Sequence, residues 1–163
     1  MAKTKKAKVQ KMTVVFVCTG NTCRSPMAEA IFRYTLAKKR KLSAFDVSSA
    51  GLSAEEGAPM TENAFKALAT LKVPLKKPHK AKQLTVQLAK KADLLVTMTA
   101  AHKQALGEYA AKAKSVGEIT GGPDVPDPYG GDEATYLKTA QYLLYAAEDV
   151  FTLATALKPQ QNG

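Results

Sequence analysis

Val14-Val15-Phe16-Val17-Cys18-Thr19-Gly20-Asn21-Thr22-Cys23-Arg24-Ser25-Pro26 is the run from which the fold of this chain is read. Its leading four residues are apolar and mostly β-branched, the composition of a strand buried on both faces. Gly20 and Asn21 follow, the residue types that best tolerate left-handed backbone, so a turn is expected there. Ser25 is placed to cap a helix, and Pro26 to sit in its first turn. A thiol therefore leaves the carboxyl end of a strand, and after five intervening residues an arginine enters a helix.

Outward from this run, apolar spacing alternates between strand and helix. Met27, Ala30, Ile31 and Tyr34 recur at helical spacing up to a basic end near Lys41. Phe45, Val47 and Ser48-Ser49-Ala50-Gly51 predict a second strand. A loop through Gly57 and Pro59 leads to a helix with Ala64, Leu68 and Leu71 on one face, broken over 73–78. A short helix is expected near Leu84, with Gln83 or Thr85 at its start. Ala92–Thr99 carries the third strand around Leu94, Leu95 and Val96, and 100–109 reads as helix. Ser115–Ile119 is the candidate for a fourth strand. Residues 120–131, rich in Gly, Pro and Asp, form an irregular loop. A final helix from about Asp132 places Leu137, Ala140, Leu144, Ala147 and Phe151 in the core. This alternation specifies an α/β fold, a doubly wound parallel sheet with helices on both faces and a site at the strands' carboxyl ends.

A chain of 163 residues is long enough for one domain with a real core. We expect a basic, disordered arm over 1–12, one domain over 13–158 and a short tail over 159–163. No apolar run is long enough for a membrane span, and the first residues lack the apolar middle of a signal peptide. Both cysteines lie in the opening run, which excludes a disulfide scaffold and suits a reducing, cytoplasmic setting. Neither His79 nor His102 has metal-ligand companions, so no metal is expected, and His102 is read as structural. The net charge of +10 is partly local, with Lys3, Lys5, Lys6, Lys8 and Lys11 in the arm. Further clusters lie at 33–41, where a helix end favours cations, and at 72–82. No basic motif interleaved with aromatics appears, which argues against nucleic acid.

The opening run also carries chemistry. A tight loop running into a helix start aims backbone N–H groups at one spot, where a tetrahedral oxyanion fits. Thr19, Gly20, Asn21, Thr22, Cys23 and Ser25 would form that cradle, and Arg24 adds a fork for two phosphoryl oxygens. The same donors favour a thiolate at Cys18. Together these features point to phosphoryl transfer through a phosphocysteine; the bland alternative is a buried strand cysteine beside a capping turn. Such chemistry needs an acid for the leaving group and then a base for water. Asp127, between prolines in Val125-Pro126-Asp127-Pro128-Tyr129-Gly130-Gly131, is the best placed carboxylate, with Asp124 as fallback. Tyr129 would wall the substrate slot.

The loop resembles the phosphate-binding loop of the low-molecular-weight protein tyrosine phosphatases, and is nearly identical to that of their bacterial arginine-phosphatase branch. The resemblance implies a four-stranded parallel sheet and a protein phosphatase needing no cofactor. It implies catalysis by Cys18, Arg24 and Asp127. Asn21, Ser25, Ser49 and His79 would hold the loop in shape; His79 matches through His79-Lys80-Ala81-Lys82-Gln83, where Lys82 replaces the family's usual Arg. Gly130 departs from the second aromatic of many tyrosine-directed members. Thr22 is typical of the phosphoarginine-directed branch; its short, hydroxylated side chain admits a guanidinium that a larger aliphatic would exclude. The implied partners are a phosphorylated protein and a phosphate or other oxyanion in the loop.

Two rival functions share this loop. Arsenate reduction needs further cysteines downstream, and none follows Cys23. An inactive phosphoprotein-binding module has no need of Cys18 or Asp127. Cys23 itself has two readings, a packing thiol behind the loop or the partner of Cys18 in a protective disulfide.

Overall fold

Seven consecutive buried residues, Met12–Cys18, make β1, the strand every other element is laid against. The computed structural model describes residues 10–160; most of the lysine arm lies outside them. β1 begins at Met12, one residue before the expected domain boundary. It is followed by α1 (Arg24–Lys38), β2 (Phe45–Gly51), α2 (Glu62–Thr70), α3 (Val86–Lys91) and β3 (Leu94–Thr97). Then come α4 (Ala100–Ala105), β4 (Ala113–Ser115), α5 (Val116–Thr120) and α6 (Glu133–Ala156).

All strand pairs are parallel, in the order β2-β1-β3-β4. The alternation of β1 side chains builds two cores. Val14, Phe16 and Cys18 face one, with Met27, Ile31 and Phe32 of α1, Leu68 of α2 and Leu143 and Val150 of α6. Val15 and Val17 face the other, with Leu95, Leu106 and Ala113, closed by Leu84, Leu88 and Tyr109. The sheet is thus covered on both sides, as its unbroken apolar strands require. The chain leaves β1 toward β2 and returns past it to β3. That reversal opens a crevice at the carboxyl ends of β1 and β3, the place where such sheets bind ligands.

The elements differ from the sequence reading in four instructive places. Ser25 does not cap α1; the cap position is Cys23, with no side-chain cap, and Ser25 is buried one residue inside the helix. The stretch 116–119 is helix, not strand. Ser115 accepts from the Glu118 amide while Glu118 accepts from the Ser115 amide, a capping box that ends β4 and starts α5. The expected 100–109 helix stops at Ala105, because Gly107 turns left-handed at φ 57° into a 3-10 turn over 107–112. In α6, Ala140 and Ala147 are buried as expected, but the large buried side chains are Tyr136, Leu143 and Val150, while Leu144 and Phe151 are only partly buried against the core. Among the described residues, no helix is long and apolar enough to cross a membrane.

Candidate active site

The β1–α1 turn is shaped by Asn21, not by Gly20: Asn21 alone in this turn adopts the left-handed conformation, at φ 57°. A non-glycine residue there needs outside support. Asn21 is fully buried and every polar group of its side chain is used. Its Nδ2 donates to Ser25 Oγ at 2.8 Å and to Ser49 Oγ at 3.0 Å. Its Oδ1 accepts from the Lys82 amide at 3.0 Å. The main chain of Lys82 makes that contact, so the exchange of Arg for Lys there leaves it intact. The Asn21 carbonyl lies 2.7 Å from His79 Nε2; a carbonyl only accepts, so Nε2 carries the hydrogen.

These bonds determine what Cys18 meets. Its Sγ lies 2.9 Å from Ser25 Oγ and accepts from the Asn21 amide at 3.3 Å. Ser25 Oγ already accepts from Asn21, so its own hydroxyl hydrogen is free to point at the sulfur. The side chain that failed to cap the helix is thus a donor to the thiol.

Arg24 is 6% exposed. Its Nη1 donates to the Val125 carbonyl at 3.1 Å, and its Nη2 lies 3.7 Å from Asp127 Oδ2. The 120–131 loop is carried to this point by the Val125 amide, which donates to the Met98 carbonyl at 2.9 Å just past β3. The Asp127 side chain is 59% exposed, and its Oδ1 accepts from the Tyr129 amide at 3.1 Å. Asn63 of α2 ties down the far end of the loop through the Gly131 carbonyl at 3.2 Å. Asp124 instead accepts from the Ala100 amide at the start of α4, at 3.0 Å, which leaves Asp127 as the carboxylate at Arg24. Tyr129, two residues beyond Asp127, is 74% exposed.

Some participants were not identified from sequence. His102, read as structural, lies with Nε2 2.9 Å from Thr19 Oγ1. Burial, and then the Arg24 guanidinium, push its pKa below the usual 6.5. Tyr136 Oη and Thr61 Oγ1 approach Cys23 Sγ at 3.4 and 3.5 Å. The Tyr136 phenol is pushed up to about 12, first by burial and then by its hydrogen bond with Cys23. Gln83 bridges the Leu52 carbonyl and the Ala54 amide, both at 2.8 Å, behind the end of β2. Only Gln83 had a local signal, the motif that also supplied His79. Cys18 and Cys23 are both free and buried.

This chain, with its strand–loop–helix, buried thiol, buried arginine and Asp127 loop, matches one family model over residues 13–162, the low molecular weight phosphotyrosine protein phosphatases. The chain belongs to this family. A protein-arginine-phosphatase of Bacillus subtilis is 40% identical over 81% of this phosphatase and 89% of its own length. A low molecular weight protein-tyrosine-phosphatase of Staphylococcus haemolyticus is 37% identical, over 82% and 94% respectively. Among solved structures, an arginine phosphatase variant with a phosphorylated active-site serine in place of cysteine superposes with a TM-score of 0.79 at 37% identity. That match covers 88% of this phosphatase and 96% of the other chain. The phosphatase is therefore a cysteine-dependent hydrolase of phosphorylated protein side chains, with the family's four-stranded parallel sheet.

Proposed function

We propose that Cys18 is the nucleophile, Arg24 the phosphoryl clamp and Asp127 the acid and base of this phosphatase. The observation that carries the reading is the joint placement of three groups. Ser25 supports the Cys18 sulfur at 2.9 Å, Arg24 is buried one residue away in sequence, and Asp127 stands 3.7 Å from its guanidinium. The Cys18 thiolate attacks phosphorus, forming the S–P bond while the bond to the leaving group breaks. Asp127 gives its proton to that leaving group. Water then attacks the phosphocysteine, Asp127 takes a proton from it, and the S–P bond breaks to return thiolate and phosphate. Arg24 holds two equatorial oxygens throughout, and the main-chain donors of residues 19–25 take the remaining charge.

Within the family's two substrate classes, phosphoarginine fits this site better. Thr22 offers a hydroxyl on a half-buried side chain, and Gly130 leaves one side of the slot without a second aromatic. Asp127 also favours a cationic leaving group. The B. subtilis relative bears the arginine-phosphatase name. In this chain, a loop with two free thiols suits a reducing, cytoplasmic setting.

Replacing the acid tests the assignment. Asp127→Asn is expected to slow substrates with poor leaving groups about 10²-fold or more, the usual worth of a positioned acid. An activated aryl phosphate should lose far less. Equal losses on both would remove Asp127 from that role.

A further inference from the structure

Among the described residues, a single buried side-chain polar atom has no hydrogen-bond partner: Nδ1 of His102. His102 is 8% exposed in α4, two residues into the helix that follows β3, and its amide donates to Thr99 Oγ1 at 3.0 Å. Its other ring nitrogen lies 2.9 Å from Thr19 Oγ1, on the residue directly after Cys18. Thr19 itself is exposed. The pair therefore bridges the two turns that flank the crevice, one after β1 and one after β3. Asp124 ties the acid loop to the same α4 start through the Ala100 amide.

The orphaned atom fixes the direction of the bond. A neutral imidazole carries one hydrogen, on one nitrogen only. An orphaned N–H donor is rarer inside proteins than an under-satisfied acceptor, so Nδ1 is the bare nitrogen. Nε2 then donates to Thr19 Oγ1. The hydroxyl hydrogen of Thr19 is left free to turn outward, away from the ring that holds it.

We propose that His102 is a positioning residue for phosphoryl transfer: it grips Thr19 from behind, fixing the peptide next to the nucleophile and turning the Thr19 hydroxyl hydrogen toward the bound phosphoryl group. The inference rests on the phosphocysteine chemistry proposed above. His102 touches no reacting atom and moves no proton. It acts through Thr19, and the distance between the two turns sets how firmly the loop keeps its shape.

Four variants test it: His102→Leu, His102→Gln, Thr19→Val and the double His102→Leu/Thr19→Val. The readouts are kcat/KM on p-nitrophenyl phosphate, competitive inhibition by inorganic phosphate, and the thermal midpoint. His102→Leu and Thr19→Val should each lower kcat/KM about three- to tenfold, the worth of one hydrogen bond. Phosphate inhibition should weaken with them. The double variant should fall no further than the worse single, since both remove the same contact. His102→Gln, whose amide can still donate to Thr19, should recover most of the loss.

A His102→Leu enzyme that melts earlier yet keeps wild-type kcat/KM and phosphate inhibition would reduce His102 to packing. Losses that multiply in the double variant would likewise overturn the proposal. If His102→Leu does not fold, the exposed Thr19→Val decides alone, and its running at the wild-type rate overturns it. If wild type fails to turn over the aryl phosphate, the phosphocysteine reading falls. Calorimetric binding of inorganic phosphate to wild type and Thr19→Val then still decides whether the brace exists.

Discussion

Gly51 closes β2 against the loop that holds Cys18, and a single methyl group there should disable the phosphatase. A Cβ added to Gly51 would stand 2.5 Å from the Thr19 carbonyl oxygen, 3.1 Å from the Asn21 amide nitrogen and 3.1 Å from Ala54 Cβ. Ordinary contact begins at 3.4 Å, so the Thr19 carbonyl must withdraw by roughly 0.9 Å. Neither side has slack. The Gly51 amide donates to the Lys82 carbonyl at 2.9 Å and its carbonyl accepts from Leu84 at 2.8 Å. The amides of Leu52 and Ser53 donate to the carbonyls of Cys18 and Thr19, both at 2.9 Å. Overpacking of this kind costs about 1–3 kcal/mol. For a domain of this size that lowers the melting temperature by roughly 2–12 °C. A displacement near 1 Å beside the proposed nucleophile costs about 10²-fold in rate. Gly51→Ala should therefore melt somewhat earlier but lose kcat/KM on p-nitrophenyl phosphate out of proportion. An enzyme within threefold of wild type, at an unchanged melting temperature, would refute the claim that this contact fixes the loop.

Thr22→Ile should move the preference toward phosphotyrosine; extra apolar bulk in a pocket is worth about 10–200-fold in discrimination. Side-by-side turnover of phosphoarginine and phosphotyrosine peptides reads the ratio, and an unchanged ratio would remove Thr22 from specificity. A second expectation concerns pH. His102, facing Arg24, Asp124 and Asp127, has its pKa held below 6.5 by burial and by Arg24. Between that lowered value and 6.5 the unfolded chain binds more protons than the native one, so stability falls as pH falls through this window. Urea midpoints at pH 7.5, 6.5 and 5.5 should decline in wild type and decline less in His102→Gln; parallel curves would contradict the buried, neutral ring.

The opening run was legible because its geometry is local. A β-branched strand, an Asn at a turn and an arginine separated from a cysteine by five residues all lie within 13 neighbouring positions. The strand–helix alternation likewise specified the doubly wound sheet, with the first three strands near their expected places and the fourth shifted back to end at Ser115. Misreadings arose where two local signals competed. Ser115-Val116-Gly117-Glu118 contains both β-branched residues and the Ser-x-x-Glu of a capping box, and the box decides the outcome. Ser25 carries the sign of an N-cap, but Asn21 and Cys18 claim its hydroxyl from inside the fold. In α6 the small members of the stripe, Ala140 and Ala147, are where they were expected, but Tyr136 leads the large ones in place of Leu137, since both are apolar enough to do so. His102, Tyr136, Thr61 and Asn63 reach the site from 38 to 113 residues away. Such contacts leave no trace in spacing, because only the sheet order brings α4 and the loop after β1 together.

The central claim is that phosphorus passes through one sulfur. Acid quenching of the enzyme during turnover, followed by peptide mass spectrometry, should find a phosphoryl group on Cys18 in wild type, at higher occupancy in Asp127→Asn if release to water is slowed. Phosphorus on no cysteine, together with activity that survives Cys18→Ser, would contradict the account.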